Sequence, residues 1–369
     1  MKSLSLTLSA LLLSLISAAA ETETIRDGIS PIPVILDTDI GDDADDMFAL
    51  FLMLSRPDVY DIRLIQVSTF NTTKRAQIVC SILSTLNRTE IPVAMGVYTG
   101  EKKCPECPAA EDYDLSTFPG VLTNGTDKMR ELLAASTPEQ PIFIVEISPA
   151  TSLGRVVYEE PTLAANAVVC AMSGSIYRGY GNSSGPQAEY NVKEDILAAQ
   201  ALYNASWAWP MATAPLDTTV WMQFFAPQYM SLLAANNSDH AYASLLVKHY
   251  TTWYINGGKD FGAIKPFSPS TGTSTMYDPL AAYMCGRYAG WRRNDHDQDL
   301  PLRSPAPPPD FFPFVTTQAL PLSVDSSGMT IVTSGAQTVV SAVLFPHGED
   351  SDIESIGDDI FASIIAAPY

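Results

Sequence analysis

The stretch P-V-I-L-D-T-D-I-G-D-D-A-D-D-M-F-A-L, residues 33–50, decides the fold. Its first apolar run, residues 34–36, is typical of a short buried strand, and residues 45–54 predict a helix that ends before Arg56 and Pro57. Six aspartates lie between or beside these elements: Asp37, Asp39, Asp42, Asp43, Asp45 and Asp46. Open α/β sheets bind ligands beyond the carboxyl ends of their parallel strands, so the same stretch predicts a functional site.

Six carboxylates within ten residues form the strongest chemical signal in the chain. Two like charges about 4 Å apart repel by about 4 kcal/mol at an effective dielectric constant near 20. No Lys or Arg lies between Arg26 and Arg56 to offset this repulsion. A bound hard cation would offset it, and we expect calcium, which takes more oxygen ligands in a more flexible geometry than magnesium does. One aspartate can instead cap the helix, but capping does not explain six.

Apolar strands alternate with helical patterns along the rest of the chain. This alternation predicts an α/β fold: an open, predominantly parallel sheet flanked by helices, with a Rossmann-like core. Further strands are predicted at residues 62–68, 91–95, 142–147 and 167–172, with a helix at 75–86. A Pro-rich loop is predicted at about 292–313, followed by short strands at 320–324, 329–332 and 338–344 and a helix at 358–366. We interpret residues 21–369 as a single domain.

The charge balance limits the classes of partner. The chain carries 41 acidic and 21 basic residues, a formal net charge of -20. So negative a surface repels nucleic acid backbones and anionic membranes, because electrostatic attraction dominates binding to both. We therefore expect no polymeric nucleic acid partner. A metal cation or a small neutral molecule fits this charge.

Residues 1–20 resemble a secretory signal peptide. Lys2 is followed by an apolar run from Leu4 to Ile16 and by Ala18-Ala19-Ala20, a small-residue cleavage site before Glu21. The run is shorter than the roughly 20 apolar residues that span a bilayer. We expect cleavage and a secreted, extracellular protein that is not attached to a membrane. Six N-x-S/T sequons predict a glycoprotein: Asn71, Asn87, Asn124, Asn182, Asn204 and Asn236.

The five cysteines are too few for a disulfide scaffold. Cys104 and Cys107, in C-P-E-C, are compatible with a redox pair, half a zinc site or a bridge. In an oxidising compartment a structural disulfide is the favoured interpretation. The other three cysteines lie in apolar surroundings and are predicted to be small core residues: Cys80, Cys170 and Cys285.

The acidic stretch resembles the amino-terminal fingerprint of the inosine-uridine nucleoside hydrolase family. That fingerprint is a D-x-D-x-G segment followed by D-D-x-x-A-L, and here D-T-D-I-G and D-D-M-F-A-L match it, with extra residues between the two halves. The resemblance implies that Asp39 is a metal ligand and the general base, Asp46 a metal ligand and Asp45 a ribose contact. Asp42 and Asp43 have no clear counterpart, so the ribose contact stays open between Asp43 and Asp45.

Further segments resemble the same family, in the same order, over roughly residues 32–290. V-S-T-F-N-T-T implies Asn71 as a ribose contact, and I-S-P-A-T-S-L implies the main-chain carbonyl of Thr151 as a metal ligand. A-P-L-D-T-T, from Ala214, also looks familial, and T-S-T-M-Y-D-P-L-A-A implies Asp278 as a metal ligand. The remaining matches imply contacts to sugar hydroxyls: Asn182, Glu189 and Asn191. Each residue also has a plain structural alternative, since Asp278 before proline is a good helix cap and the asparagines suit turns or glycans.

The resemblance implies a calcium-dependent ribonucleoside hydrolase that cleaves the N-glycosidic bond of purine or pyrimidine nucleosides, giving free base and ribose. Asp39 would take the proton of a metal-bound water as that water attacks the anomeric carbon. The family also implies a homo-oligomer. Tyr277 stands where relatives often have a His that protonates the departing base, so we expect it to orient or pack against the base.

The sequence leaves two alternative functions open. The departures at Tyr277 and in the acidic stretch motivate a catalytically impaired nucleoside-binding or effector protein on the same fold. The other is an enzyme that acts on a different metal-dependent ester or glycan substrate. Release of free base from nucleosides separates the first alternative from the enzyme, and the identity of the products separates the second.

Overall fold

A computed structural model describes residues 31–236, 240–258, 268–294, 316–336, 338, 340–344 and 350–367. The predicted signal peptide lies outside this part of the chain. The described strands are β1 (Ile32–Thr38), β2 (Tyr60–Val67), β3 (Val93–Met95), β4 (Val121–Leu122), β5 (Ile142–Ile147), β6 (Ala167–Met172), β7 (Ala212–Ala214), β8 (Thr316–Leu320), β9 (Leu322–Val324), β10 (Thr330–Val332) and β11 (Val340–Leu344).

The described α-helices largely alternate with the strands as far as β7, and four of them then follow one another before β8. They are α1 (Asp45–Ser55), α2 (Thr72–Thr85), α3 (Gly125–Ala134), α4 (Thr151–Glu159), α5 (Tyr190–Glu194), α6 (Ile196–Asn204), α7 (Leu216–Thr219), α8 (Ala226–Asn236), α9 (Ala241–Ile255), α10 (Pro279–Asn294) and α11 (Asp350–Ile365). Among the described residues, none of these helices is both long and apolar enough to span a membrane.

Nine of the described strands form one sheet, in the order β4-β3-β2-β1-β5-β6-β7-β11-β8. All neighbouring pairs are parallel except β11 and β8, which are antiparallel. One edge of the sheet is β4, which is only two residues long. The predicted fold class, a predominantly parallel sheet flanked by helices, is confirmed.

Helices cover both faces of the sheet because its central strands are apolar on both sides. In β1, Val34 and Leu36 join one apolar core, whereas Ile35 joins the other. The first core is completed chiefly by α1, α2, α9 and α10, and the second by α3, α4 and α6. This two-sided burial is the physical reason for the near-continuous apolar runs in the sequence.

The acidic stretch folds as its pattern predicts. β1 ends at Thr38, and α1 begins at Asp45 after a short turn. Every residue of α1 is buried, and Asp45 and Asp46 occupy its first turn, where the positive end of the helix dipole favours carboxylates. The helix ends at Ser55, directly before the Arg-Pro pair that was expected to stop it.

The C-terminal predictions need three corrections. The strand predicted at 320–324 is split at Pro321, because proline has no N–H for a sheet ladder: β8 joins the large sheet, and β9 pairs with β10 in a separate hairpin. The first residues of the loop predicted at about 292–313 belong to α10, which continues to Asn294, and residues 295–313 lie outside the described part. The final helix begins at Asp350, eight residues before its predicted start.

The predicted disulfide between Cys104 and Cys107 is present. It packs against the acidic stretch: Glu106 N–H donates to the Gly41 carbonyl at 3.1 Å. A Cβ on Gly41 would lie 2.7 Å from Cys104 Sγ, and the φ of Gly41 is 119°, so this position requires glycine. The remaining cysteines are free and buried, as expected for core residues.

Candidate functional site

A cavity of about 340 Å³ lies beyond the carboxyl ends of β1, β5 and β6. Ile147 and Met172, the last residues of β5 and β6, form part of its floor. Its acidic wall consists of Asp39, Asp42, Asp43, Asp45, Asp46 and Asp278, and its aromatic wall consists of Tyr180, Tyr190, Trp253 and Tyr277. The structure thus brings five of the six aspartates of the acidic stretch to one cavity, together with Asp278 from the other end of the motif series.

Three carboxylates form a cluster that can hold a metal ion. Asp45, Asp46 and Asp278 each offer an oxygen, and these atoms lie within 4.8 Å of one another. All three side chains are buried. Burial, and then the neighbouring carboxylates, raise the pKa of Asp278 well above its ordinary value.

Neighbouring groups donate hydrogen bonds to this cluster. Among the described residues, none of these donors is a positively charged side chain. Thr38 Oγ1 donates to Asp46 Oδ1 at 2.5 Å, and Tyr277 N–H donates to Asp45 Oδ2 at 3.1 Å. Burial also raises the pKa of both aspartates well above the ordinary range. Three buried oxygen donors of this kind fit a hard divalent cation, which would favour their ionised forms.

Asp39 lines the same cavity but is not one of the three clustered carboxylates. Asp45, for which the resemblance implies a ribose contact, belongs to the cluster. Asp39 Oδ2 is 3.9 Å from Arg75 Nη2. Burial raises the pKa of Asp39 to about 7, with Arg75 acting in the opposite direction and Asp42 in the same direction. A carboxyl group with such a pKa can accept a proton near neutral pH.

Asp42 is neutralised by two cations that the acidic stretch itself lacks. Its Oδ2 is 3.1 Å from Arg75 Nη2 and 3.2 Å from Lys102 Nζ. Arg75 is buried in α2 and also donates to the carbonyls of Ile40 and Thr69, at 2.7 and 3.0 Å. These contacts give the inserted Asp42 a role in anchoring the loop.

Asp43 and Asp37 have different environments from Asp42. Asp43 lines the cavity and accepts Ala44 N–H at 2.7 Å, and burial raises its pKa to about 7. Asp37 does not line the cavity: it pairs with Glu146 on the neighbouring strand β5 and accepts Ser68 Oγ at 2.5 Å. Burial raises the pKa values of both Asp37 and Glu146, as expected for two adjacent carboxyl groups that share a proton.

Two of the predicted sugar contacts lie on the cavity wall. Glu189 caps α5: its oxygens accept the N–H groups of Gly174, Asn191 and Val192 at 3.1, 2.7 and 3.2 Å. Burial raises the pKa of Glu189 to about 7. Asn191 Nδ2 donates to the Met172 carbonyl at 3.0 Å. Because a carboxylate offers about four acceptor positions, Glu189 retains one for a ligand.

Of the other three predicted residues, Asn71 and Thr151 do not line the cavity. Asn71 caps α2 through Lys74 N–H, and its Nδ2 donates to Glu101 Oε1 at 2.8 Å. Thr151 begins α4, and its buried Oγ1 has no hydrogen-bond partner among the described residues. Asn182 belongs to a single helical turn, Tyr180–Asn182, but its side chain lies outside the described part of the chain.

Tyr277 lines the cavity on its aromatic wall. Its ring meets that of Tyr180 edge to face, with centroids 6.1 Å apart. Burial, followed by Asp43 and Asp45, raises the pKa of Tyr277 above its ordinary value, which makes it a still poorer proton donor. The two described histidines lie elsewhere: His240 caps α9, and His249 Nδ1 is 2.7 Å from Glu106 Oε1.

Sequence reasoning missed three residues of this region: Arg75, Lys102 and Trp253. A signal for Arg75 was present, because it shares the buried face of α2 with Ile78, Val79 and Ile82 at helical spacing, and an arginine on such a face needs an anionic partner. Trp253, on α9, donates its Nε1–H to the Asp42 carbonyl at 3.1 Å. Lys102 lies in the irregular connection between β3 and β4, where no pattern identifies it.

Comparison with known proteins identifies relatives of the whole arrangement. A family model described as inosine-uridine preferring nucleoside hydrolase matches residues 34–353. The pyrimidine-specific ribonucleoside hydrolase RihA of Escherichia coli (strain SMS-3-5 / SECEC) is 31% identical over 204 residues, covering 51% of this chain and 61% of the relative. This chain therefore aligns with less than two thirds of the length of these curated relatives.

Solved structures share the fold at low sequence identity. The plant nucleoside hydrolase PpNRh1 aligns with a TM-score of 0.66 and 16% identity, covering 92% of this chain and 100% of that chain. The effector protein XOO4466 aligns with a TM-score of 0.62 and 16% identity, covering 95% of this chain and 98% of that chain. These two likenesses concern the fold.

Proposed function

This chain belongs to the inosine-uridine preferring nucleoside hydrolase family, and we propose that it hydrolyses the N-glycosidic bond of ribonucleosides to give a free base and ribose. The observation that carries the proposal is the cavity itself. The cavity combines the buried cluster of Asp45, Asp46 and Asp278 with Asp39 and with an aromatic wall. Its acidic lining favours neutral nucleosides over phosphorylated ones, because like charges repel.

We further propose that the cluster binds calcium. Asp45, Asp46 and Asp278 would hold the ion, with Asp39 and the main-chain carbonyl of Thr151 as further ligands. The buried, carboxylate-rich donor set supports this choice. When bound, such a cation supplies Lewis-acid chemistry, lowering the pKa of water and stabilising negative charge.

The side chains of the cavity then divide the work of the reaction. Asp39, which lines the cavity beside the cluster, accepts the proton of the attacking water as the bond to the anomeric carbon forms. Asp45, Glu189 and Asn191 hold sugar hydroxyls, which fixes the ribose in a reactive orientation, and Asn71 and Asn182 are proposed as additional sugar contacts. The transition state resembles an oxocarbenium ion, which an acidic cavity stabilises.

The departing base receives less help than the sugar does. Neither described histidine lines the cavity, and the raised pKa of Tyr277 makes its hydroxyl a poor acid. We propose that Tyr277 packs against the base and orients it, and that solvent supplies the proton that the departing base takes up. The reaction should accordingly favour nucleosides whose bases depart readily.

We also propose that the protein is secreted after cleavage near Glu21, carries glycans and forms a homo-oligomer. The apolar run before Glu21 and the six sequons support the first two points. We expect Asn71 and Asn182 to remain unmodified, because a glycan on either side chain would occupy the proposed ribose pocket. Peptide mapping of the secreted protein checks this, and an occupied Asn71 in fully active protein would remove it from the site.

A second candidate is a nucleoside-binding or effector protein on the same fold that has lost turnover. Two observations favour this candidate. Neither described histidine lines the cavity, and the fold resembles that of an effector protein. The deciding experiment is a panel of purine and pyrimidine ribonucleosides, incubated with protein first stripped of metal and then supplied with calcium. Free base and ribose support the hydrolase, binding without products supports the second candidate, and phosphate or oligosaccharide products from other substrates contradict both.

A further inference from the structure

Lys102 joins two walls of the cavity, although it belongs to none of the sequence motifs. Its Nζ is 3.2 Å from Asp42 Oδ2 and also hydrogen-bonds Tyr190 Oη. Asp42 belongs to the loop after β1, whereas Tyr190 begins α5. Both partners line the cavity, so a single lysine side chain connects the acidic wall to the aromatic wall.

A left-handed turn at Thr69 and Phe70 places an aromatic ring beside Lys102. Thr69 and Phe70 have φ values of 62° and 46°, a left-handed conformation that β-branched and bulky residues rarely adopt. The turn is fixed by Phe70 N–H, which donates to Thr99 Oγ1 at 2.7 Å. It places the Phe70 ring 4.6 Å from Lys102 Nζ, and the Tyr190 ring lies 4.3 Å from the same nitrogen. The ammonium group thus lies against the Phe70 ring and meets Tyr190 at its hydroxyl.

This arrangement differs from an ordinary surface ion pair, which contributes little because water screens it. The Asp42 carboxylate is only 7% exposed, and Arg75, its other partner, only 2%. Arg75 can neutralise Asp42 without help from Lys102. Lys102 also holds the Tyr190 hydroxyl. Without Lys102 that hydroxyl keeps a 3.3 Å hydrogen bond to Asp42 Oδ2, while the Tyr190 N–H still donates to Tyr180 Oη at 3.0 Å.

We propose that Lys102 is a positioning residue that holds Tyr190, and with it α5, against the loop that follows β1 and carries Asp42. Tyr190 lies between Glu189 and Asn191, so fixing its ring also fixes the segment that carries two sugar contacts. The kinetic part of this inference rests on the proposed hydrolase function. The structural part, the tie between Lys102 and α5, does not.

The test compares Lys102→Met with Lys103→Met, the adjacent exposed lysine, and with Lys102→Arg. Hydrogen exchange is followed in the peptide that contains Tyr190–Glu194, without substrate. We expect Lys102→Met to exchange at least about threefold faster there than wild type, with Lys103→Met unchanged, because removing the tie lowers local stability. On inosine and uridine, we expect KM to rise about tenfold while kcat changes less than about twofold. Lys102→Arg should recover most of both effects.

Equal exchange in Lys102→Met and Lys103→Met would overturn the tie, whether or not any nucleoside is hydrolysed. A fall in kcat at constant KM would also overturn the proposal, since Lys102 would then act on the chemical step. Tyr190→Phe combined with Lys102→Met should raise KM no further than Lys102→Met alone, and a fully additive rise contradicts action through Tyr190. If wild type hydrolyses no nucleoside, the proposed function fails, and the exchange experiment still decides the tie.

Discussion

The two halves of the acidic stretch, the loop after β1 and the first turn of α1, face the same problem of charge repulsion and solve it differently. Asp42, in the first half, is paired with Arg75 and Lys102. Asp45 and Asp46, in the second half, meet Asp278, a third carboxylate, and the pKa values of all three are raised by burial. The chain neutralises one half with its own cations, whereas the other half needs protons or an external cation. Chemically identical side chains of one short stretch therefore have different roles.

The largest effect is expected from Asp39, which belongs to the first half and lines the cavity together with the second. Asp39→Ala removes the proposed base, so kcat/KM on nucleosides should fall by about 100- to 10,000-fold, the usual loss when acid–base assistance is removed. Asp127→Ala, at an exposed aspartate of α3, is the matched control and should keep wild-type activity. An Asp39→Ala enzyme with more than a tenth of the wild-type rate would contradict the assignment.

Metal binding should distinguish the two halves directly. Calcium at 100 times its Kd should stabilise wild type by about 2.7 kcal/mol, measured as a rise in Tm over metal-free protein. Asp46→Asn should abolish that rise, because it removes a ligand of the cluster. Asp42→Asn should keep it, since Asp42 binds the chain's own cations. Loss of the rise in both variants would remove the distinction, and hydrolysis that persists in protein shown to be metal-free would show the assigned site to be wrong.

Raised pKa values in the acidic stretch should also make the stability of the metal-free protein depend on pH. Asp39 and Asp43 have pKa values of about 7 in the fold against a reference value of 3.8, so the folded state binds more protons than the unfolded state between these values. Stability conferred by these groups is therefore lost as pH rises from about 4 to 7. Chemical unfolding at a series of pH values should show this decline without calcium and a weaker one with it. A stability that rises across this range in the metal-free protein argues against buried, unpaired carboxyl groups.

The smallest effect is expected on the aromatic wall. Tyr277→Phe keeps the ring and removes only a hydroxyl with a raised pKa, so activity on inosine and uridine should fall less than about tenfold. p-Nitrophenyl riboside, whose leaving group needs no proton, serves as the internal reference. A loss of about 100-fold or more on the natural nucleosides, with this riboside spared, would identify Tyr277 as the acid.

How far the sequence predicted this molecule depends on the distance over which each signal acts. β1 and α1 were predicted within a few residues, because an apolar run, a cluster of aspartates and an Arg-Pro stop are all local. β7 was missed, since Ala212–Ala214 is too short and too rich in alanine to stand out as a strand. The division of the strand predicted at 320–324 follows from Pro321, a local signal that the prediction overlooked.

The site required long-range information. Tyr277 and Asp45 are 232 residues apart and meet through a hydrogen bond, so no local pattern predicts their contact. Only the family resemblance grouped the neighbouring Asp278 with the acidic stretch. Arg75 could have been found from its place on a buried helix face. Lys102 could not have been, because its position depends on a left-handed turn at Thr69 and Phe70 that brings an irregular connection over the cavity.

The narrow edge of the large sheet bears on how the protein behaves at high concentration. An exposed strand edge can pair with another chain, and proteins limit this risk by keeping edge strands short. β4 offers only Val121 and Leu122 at its edge of the described sheet, too few residues to hold a second strand in register. Self-association by sheet extension is therefore disfavoured at this edge, and copies of the chain would have to meet there through side chains instead.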